Sequence, residues 1–462
     1  MSRSCGGSQI WFRRCHLTCS PPCNSRSVAG EFVVTVFDDL IGQERVVALL
    51  RAAAVSAAEV VWAREMGLFG SLEEAPAVLP DAVAPAVPGA AMTHAWLFTG
   101  PPGSGRSVAA RAFAAALQCT AGLQDGGVGC GVCAGCHTVL AGTHADVEVV
   151  TPQGLSLGVR EARELVARAA LMPSGRHWQV ILIEDADRLT EGAANVLLKA
   201  IEEPSPRTVW LLCVPSAQDL VITIRSRCRV VALRTPPTSA VASVLVSRDG
   251  VAPDVADFAA RAAQGHVGRA RRLATDAAAR SRRHDVLQMP SALTDVGRCL
   301  AVASDLVKDV NAEAAAATAL VDEAETTSYK EAFGEGGTAT GVGRGSTGGA
   351  AARGALRSAA AALKELEGRQ KSRATRTQRD ALDRALTDLA GFYRDVLVVQ
   401  LGAGVDIANV DEAMAISALA ASSTAEATVR RLSALLACRT SLEANANQLL
   451  TVEALTLALR AG

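Results

Sequence analysis

Aromatic side chains are scarce in this chain: nine phenylalanines, five tryptophans and two tyrosines among 462 residues, or 3%. Little is therefore available to stack on nucleic-acid bases. No apolar run reaches the roughly 18 residues of a membrane span, so a soluble, cytoplasmic protein is expected. Charge of one sign is missing too. Forty-six lysines and arginines face 47 acids, for a net charge of −1, so no overall field draws the molecule to DNA. Phosphate contact would have to come from a local patch. Hydrophobic residues nonetheless make up 49%. Much of that is alanine, which favours helices packed through small side chains.

The length suggests two to four domains. Of twelve cysteines, four lie in the first 23 residues and four between Cys119 and Cys136; Cys213, Cys228, Cys299 and Cys438 are scattered. A chain this long does not need disulfide staples, so a reducing compartment fits. Residues 1–30 carry four arginines, no acid, and Cys5, Cys15, Cys19 and Cys23. Without a continuous apolar core they do not form a secretory signal. Residues 1–35 are expected to be a disordered or extraneous extension. The three-residue gaps between Cys15, Cys19 and Cys23, with no fourth partner, argue against a metal site there.

From Phe37 the character changes. Val46 to Glu65 reads as a helix. Residues 72–91, rich in alanine and proline, read as a loop. Short apolar runs at Ala95–Thr99, Asp146–Val150, Trp178–Ile183, Val209–Val214 and Val230–Leu233 alternate with helical stretches, which predicts a parallel sheet covered by helices. After Pro236 and Pro237 strand signals vanish. Residues 236–285 suggest a small helical unit, and 286–462 long alanine/leucine helices interrupted by a flexible glycine-rich loop at Gly334–Gly354.

Three motifs carry chemistry. Gly100, Gly103, Gly105, Arg106 and Ser107 have the spacing of a phosphate-binding loop between a strand and a helix. Such glycines let backbone N–H groups curl around phosphates, and the helix N-terminus adds positive potential. Ser107 stands where a hydroxyl binds Mg²⁺. Arg106 replaces the expected lysine, a planar fork in place of a compact charge. The apolar strand Val180–Ile183 ends in Glu184 and Asp185. The usual order is an aspartate linked to the metal and then a glutamate that activates water; the reversal shortens the second acid and weakens hydrolysis. Finally, Cys119, Cys130, Cys133 and Cys136 have the composition of a closed, structural tetrathiolate Zn²⁺ site. Gly126, Gly127, Gly129, Gly131 and Gly135 lend the chain freedom to wrap a metal, and His137 is spare. An iron–sulfur cluster is the rival occupant.

Together these pieces resemble the AAA+ subunits of the bacterial sliding-clamp loader, in their actinobacterial form. The resemblance is clear from Val36 to about Leu273 and looser beyond. Val36–Gln43 is similar to the segment that opens the family's ATPase domain near the adenine pocket. Thr190–Pro204 is similar to the helix after the acidic strand, and Thr223–Cys228 to the family's Ser-Arg-Cys motif. Gly268-Arg269 is similar to the second sensor. The resemblance implies an α/β P-loop (AAA+) domain with an inserted zinc module at 36–235, a helical lid at 236–285 and an all-α oligomerising collar at 286–462. It also implies that Arg227 reaches a neighbouring subunit's ATP and that Arg269 faces nucleotide. The polar sensor expected after the fourth strand is absent or shifted at Val214-Pro215-Ser216. With Arg106 and the Glu184-Asp185 order, this points to a partner subunit with weak or no ATPase of its own.

The expected assembly contains ATPase-type and delta-type loader subunits, the sliding clamp and primed DNA, as part of the replicative polymerase holoenzyme. ATP with Mg²⁺ stays a possible ligand of the chain. The alternatives are the loader's own ATPase subunit, or a zinc-dependent DNA-binding protein with a relic P-loop. Arginines 261, 269, 271, 272, 280, 282 and 283, and a second group at Arg369, Lys371, Arg373, Arg376 and Arg379, read as solvated helix faces, with phosphate contact the sharper option.

Overall fold

The computed structural model describes residues 35–65, 92–121, 128–152, 156–175, 177–333 and 348–462. The N-terminal extension to residue 34, the whole 72–91 loop, Gly126, Gly127 and residues 334–347 lie outside the described residues.

The first body is a parallel five-stranded sheet of β1 (Ala95–Thr99), β2 (Val147–Val150), β3 (Gln179–Ile183), β4 (Thr208–Val214) and β5 (Arg229–Ala232), in the order β2-β3-β4-β1-β5. Strand bounds differ by a residue or so from those expected. Thr208 and Arg229 are polar, yet both are in register with neighbouring strands, opposite Gln179 and Trp96. Backbone pairing, not side-chain polarity, sets those ends.

Side chains alternate across the pleat. Trp96, Phe98, Val180, Leu182, Val209 and Leu211 pack on one face, against α1 (Glu44–Glu65), α2 (Arg106–Leu117) and α3 (Ala134–Leu140). Leu97, Ile181, Ile183, Trp210 and Leu212 pack on the other, against α4 (Val159–Ala169), α5 (Glu191–Glu202) and the single turn α6 (Ile222–Arg225). Trp96 and Phe113 meet edge to face with centroids 4.9 Å apart, a preferred aromatic geometry. Helix α5 starts where the Thr190 hydroxyl accepts a hydrogen bond from Ala193 N at 3.2 Å, satisfying a donor the first turn would otherwise leave open.

Three helices follow, α7 (Thr238–Ser247), α8 (Pro253–Ala262) and α9 (Val267–Thr275). They share a small core of Val241, Leu245, Ala256, Ala259, Ala260 and Ala270. Next come α10 (Ala277–Ala292), α11 (Val296–Phe333), α12 (Gly348–Gln400), α13 (Ala413–Ser422), α14 (Ala425–Glu443) and α15 (Gln448–Ala461). Their core is built on Leu382, Leu386, Leu389, Phe392, Tyr393 and Val396 of α12. Two differences from expectation stand out. Helix α10 runs through the 285/286 boundary without a break, and α12 already begins at Gly348, inside the stretch read as a loop.

Arg369 and Lys371 are exposed, as a solvated helix face requires, but most of the other arginines are engaged. Arg261, Arg269, Arg271, Arg272, Arg282, Arg283, Arg373 and Arg376 all form ion pairs. Arg280 donates to the Leu273 carbonyl at 2.7 Å and Arg379 to Asn445. Sequence spacing hid the acids that answer them, because most lie on other helices.

Candidate functional site

The phosphate-type loop is formed. It leaves β1 at Thr99, and Gly100, Gly103 and Gly105 take φ values of +153°, +86° and +89°, which side chains resist and glycine tolerates. The Gly100 N–H donates to the Pro215 carbonyl at 3.1 Å, tying the loop to the end of β4. Buried Gln43 pairs with the Arg234 backbone and donates weakly to the Ser104 carbonyl. This anchors the Val36–Gln43 segment beneath the loop.

The side chains around this cradle are already engaged. The Arg106 guanidinium donates back across the loop to the Gly100 carbonyl. Ser107 is half-buried in the first turn of α2. Ser104 Oγ is buried without a partner. Glu184 receives Arg111 Nε from α2 at 2.9 Å and the Thr151 hydroxyl at 2.9 Å. Asp185 receives Arg376 Nη2 from α12 at 2.6 Å, with Arg188 further off at 3.9 Å. Both acids of the strand end are thus neutralised by guanidinium groups of the same chain. The backbone suits a phosphate; the side chains, in this conformation, leave neither acid free for a metal or a water. Asp187 lies beside them, and burial raises its carboxyl above the usual range.

The start of α9 packs against the loop. A Cβ on Gly103 would come within 2.5–2.8 Å of His266, which caps α9. Arg269, read as facing nucleotide, instead gives Nη2 to Asp388 of α12 at 2.6 Å. The physical reason is a deeply placed carboxylate that is costly to leave unpaired: burial raises the Asp388 carboxyl, with Arg269 and Arg283 opposing.

Burial, then Arg269 and Arg106, hold His266 below its ordinary value of 6.5. The sign follows. Above 6.5 both folded and unfolded chains are neutral here, so the stability is fully present. As pH falls below 6.5 the unfolded chain takes up the proton first, and stability is lost. Burial lowers His94 and His144 in the same direction. Thermal melts between about pH 7 and 5 should therefore show the wild type losing more stability than His266→Gln, each unit of pKa depression being worth ~1.4 kcal/mol. Equal losses would remove His266 as a contributor.

Arg227 sits between α6 and β5 with its side chain 39% exposed. Its Nη2 lies 2.5 Å from Glu202, itself 42% exposed, and Nη1 donates to the Thr223 carbonyl at 2.8 Å. Ser216, in the stretch where a polar sensor was sought, caps a short turn: its backbone N–H donates to Asp219 at 2.9 Å.

The four cysteines converge. The Sγ atoms of Cys119, Cys130, Cys133 and Cys136 all lie within 4.8 Å of one another. Cys119–Cys130 and Cys119–Cys133 are 3.8 and 3.9 Å. A zinc–sulfur bond of ~2.3 Å in a tetrahedron gives an edge of about 3.8 Å, so these spacings suit that ion. The backbone N–H groups of Thr120, Cys133 and Cys136 point at sulfur, each 3.4 Å away. Gly135 is required: a Cβ there would stand 1.9 Å from the Gln118 carbonyl. The Cys136 thiol donating to Cys119, helped by backbone N–H groups against burial, pulls Cys119 down to about 4 and pushes Cys136 up. Cys133 falls to about 7, because the Thr120 side chain and nearby backbone N–H groups outweigh burial. His137 is exposed and stands outside the cluster.

Sequence reasoning missed Arg111, Thr151, His266 and Asp388, and had Arg376 only in a basic helix face, not against Asp185. Only Arg111 carried a local signal, one turn into the helix that follows the loop.

Residues 84–237 match the family model described as DNA polymerase III, delta subunit, and residues 354–460 match that described as DNA polymerase III, delta subunit, C terminal. DNA polymerase III subunit delta′ of Bacillus subtilis is 33% identical over 165 residues, 36% of this chain and 49% of that protein. Over that stretch the chain is similar to delta-prime subunits. DNA polymerase III subunit tau of the same organism is 34% identical over 137 residues, 30% of this chain and 24% of that protein. The chain thus spans about half the length of the curated relatives it matches, or less. A DNA polymerase III gamma subunit-related protein from Thermotoga maritima superposes at a TM-score of 0.33 with 13% identity, over 79% of this chain and 93% of that one.

Proposed function

We propose that this delta-prime-like chain is a partner subunit of a bacterial DNA polymerase III clamp loader. It holds a zinc module, packs its C-terminal helices against other loader subunits, and presents Arg227 to a neighbour's ATP. The observation that carries this reading is a contrast within one molecule. The acids of its own strand end are answered by Arg111 and Arg376, whereas Arg227 is held by a half-exposed pair with Glu202 and by local bonds to Thr223 and Ser226 of its own turn. A site organised for turnover keeps its acids free for metal and water; a finger delivered in trans needs to be easily released.

Exposed apolar residues on the C-terminal helices, among them Met414, Leu436, Leu450 and Val410, fit burial against partner subunits. No described helix is long and apolar enough to cross a membrane.

The test is reconstitution with gamma/tau-type and delta-type subunits. A complex of defined mass that loads a sliding clamp onto primed DNA, and fails to form without this chain, is the expected result. The second reading, a turning-over motor, draws on the formed glycine cradle and on the similarity to tau. Robust ATP turnover by the isolated chain, abolished by Ser107→Ala, would replace the partner-subunit reading with it.

A further inference from the structure

We propose that α12 plugs the chain's own nucleotide site, with Arg376 occupying Asp185, the second of the two strand-end acids, and so closing that end of the site to nucleotide with Mg²⁺. The proposal deepens the partner-subunit reading and rests on its view of Gly100–Ser107 as a phosphate cradle.

Arg376 is held at three points. Nη2 lies 2.6 Å from Asp185, the other Nη donates to the Pro152 carbonyl just past β2, and Nε lies 3.8 Å from Asp380 on its own helix. The side chain is 19% exposed and that of Asp185 29%. A charge-assisted pair this sheltered is stronger than a surface pair. Twelve residues further along the same helix, Asp388 holds Arg269 of the lid at 2.6 Å, at 11% and 17% exposure. The lid in turn places His266 against Gly103. One helix therefore grips the strand end directly and the loop through the lid. Glu184, the other acid, is taken by Arg111.

The consequence is competition. A carboxylate neutralised by a guanidinium offers little to a nucleotide's metal or to its attacking water until that pair is broken. Nucleotide with Mg²⁺ must displace Arg376, and by reciprocity nucleotide binding must loosen α12 from the strand end by the same factor.

The experiment is equilibrium binding of a fluorescent ATP analogue with Mg²⁺ to the full chain. Arg376→Ala and the milder Arg376→Gln should each bind about ten-fold more tightly than wild type, ~1.4 kcal/mol. Arg373→Ala is the control on the same helix, because Arg373 pairs only with Asp322 and Glu325 of α11; it should bind like wild type. Amide exchange at residues 150–151 and 184–188 should quicken in the two Arg376 variants alone. If wild type binds the analogue and both folded Arg376 variants bind it no better, the plug is overturned while the cradle stands. If no variant binds at millimolar analogue, the cradle reading falls and takes the plug with it.

Discussion

Arg227→Ala should leave the isolated chain folded and cut ATP hydrolysis at the one neighbouring site it serves by roughly a thousand-fold or more in the assembled loader, the range attributed to arginine fingers. The fold should not notice. Arg227 is 39% exposed and its contacts are the Glu202 carboxylate, the Ser226 hydroxyl and the Thr223 carbonyl. Exposed ion pairs contribute about 0–1 kcal/mol, so the side chain can be freed from Glu202 cheaply when a partner's phosphates offer more. Steady-state turnover of the whole complex will fall less steeply than the affected site, because other sites keep their own arginines. Single-turnover measurement of the site next to this chain is the decisive readout. Arg227→Lys restores charge but not the planar fork, and should recover little. An assembly with Arg227→Ala whose hydrolysis and clamp loading match wild type would remove the finger role.

The parts legible in the sequence are those encoded in consecutive residues. The glycines of the loop, the apolar run Val180–Ile183 with its acids, and the cysteine spacing each announce themselves within about twenty positions. What stayed hidden depends on residues far apart in the chain. Asp185 and Arg376 are 191 positions apart, and Arg269 and Asp388 are 119 apart. No periodicity or motif predicts which arginine of an α-helix will meet which acid. For that reason the arginines of α9, α10 and α12 read as solvated faces, although Arg283 is only 4% exposed. Arg269 stands at the start of α9, but a buried carboxylate on α12 decides where its guanidinium goes. The helical start at Gly348 was hidden for another reason: its composition is that of a linker, and helix propensity is weak where glycines cluster.

Metal removal should have the second large effect, and it should be one of stability. The cysteine cluster is not an appendage. Cys119, Cys136, Val128 and Val139 belong to the same core as Trp96 and Phe113, and the Gln118 side chain next to Cys119 donates to the Trp178 carbonyl just before β3. Cys136 is fully buried and Cys119 nearly so. Four sulfurs this close cannot all be thiolates without a cation between them; without a metal, burial raises Cys130 and the bond to Cys119 raises Cys136, so these thiols keep their protons while Cys119 is held low. Zinc would replace those protons and satisfy all four sulfurs. Chain purified without chelator should hold one zinc per molecule and be colourless, which separates it from an iron–sulfur protein. Cys133→Ser should lose the metal and about 3 kcal/mol. For a domain of about 200 residues that is a fall in Tm of roughly 10 °C. The half-buried Cys133 is the better position to change, since serine at Cys136 would also strand a hydroxyl in the core. Affinity for zinc should weaken as pH falls, because protons compete for the thiolates. A chain that contains no zinc, and whose Cys133→Ser variant melts like wild type, would show that the sulfurs gather for packing alone.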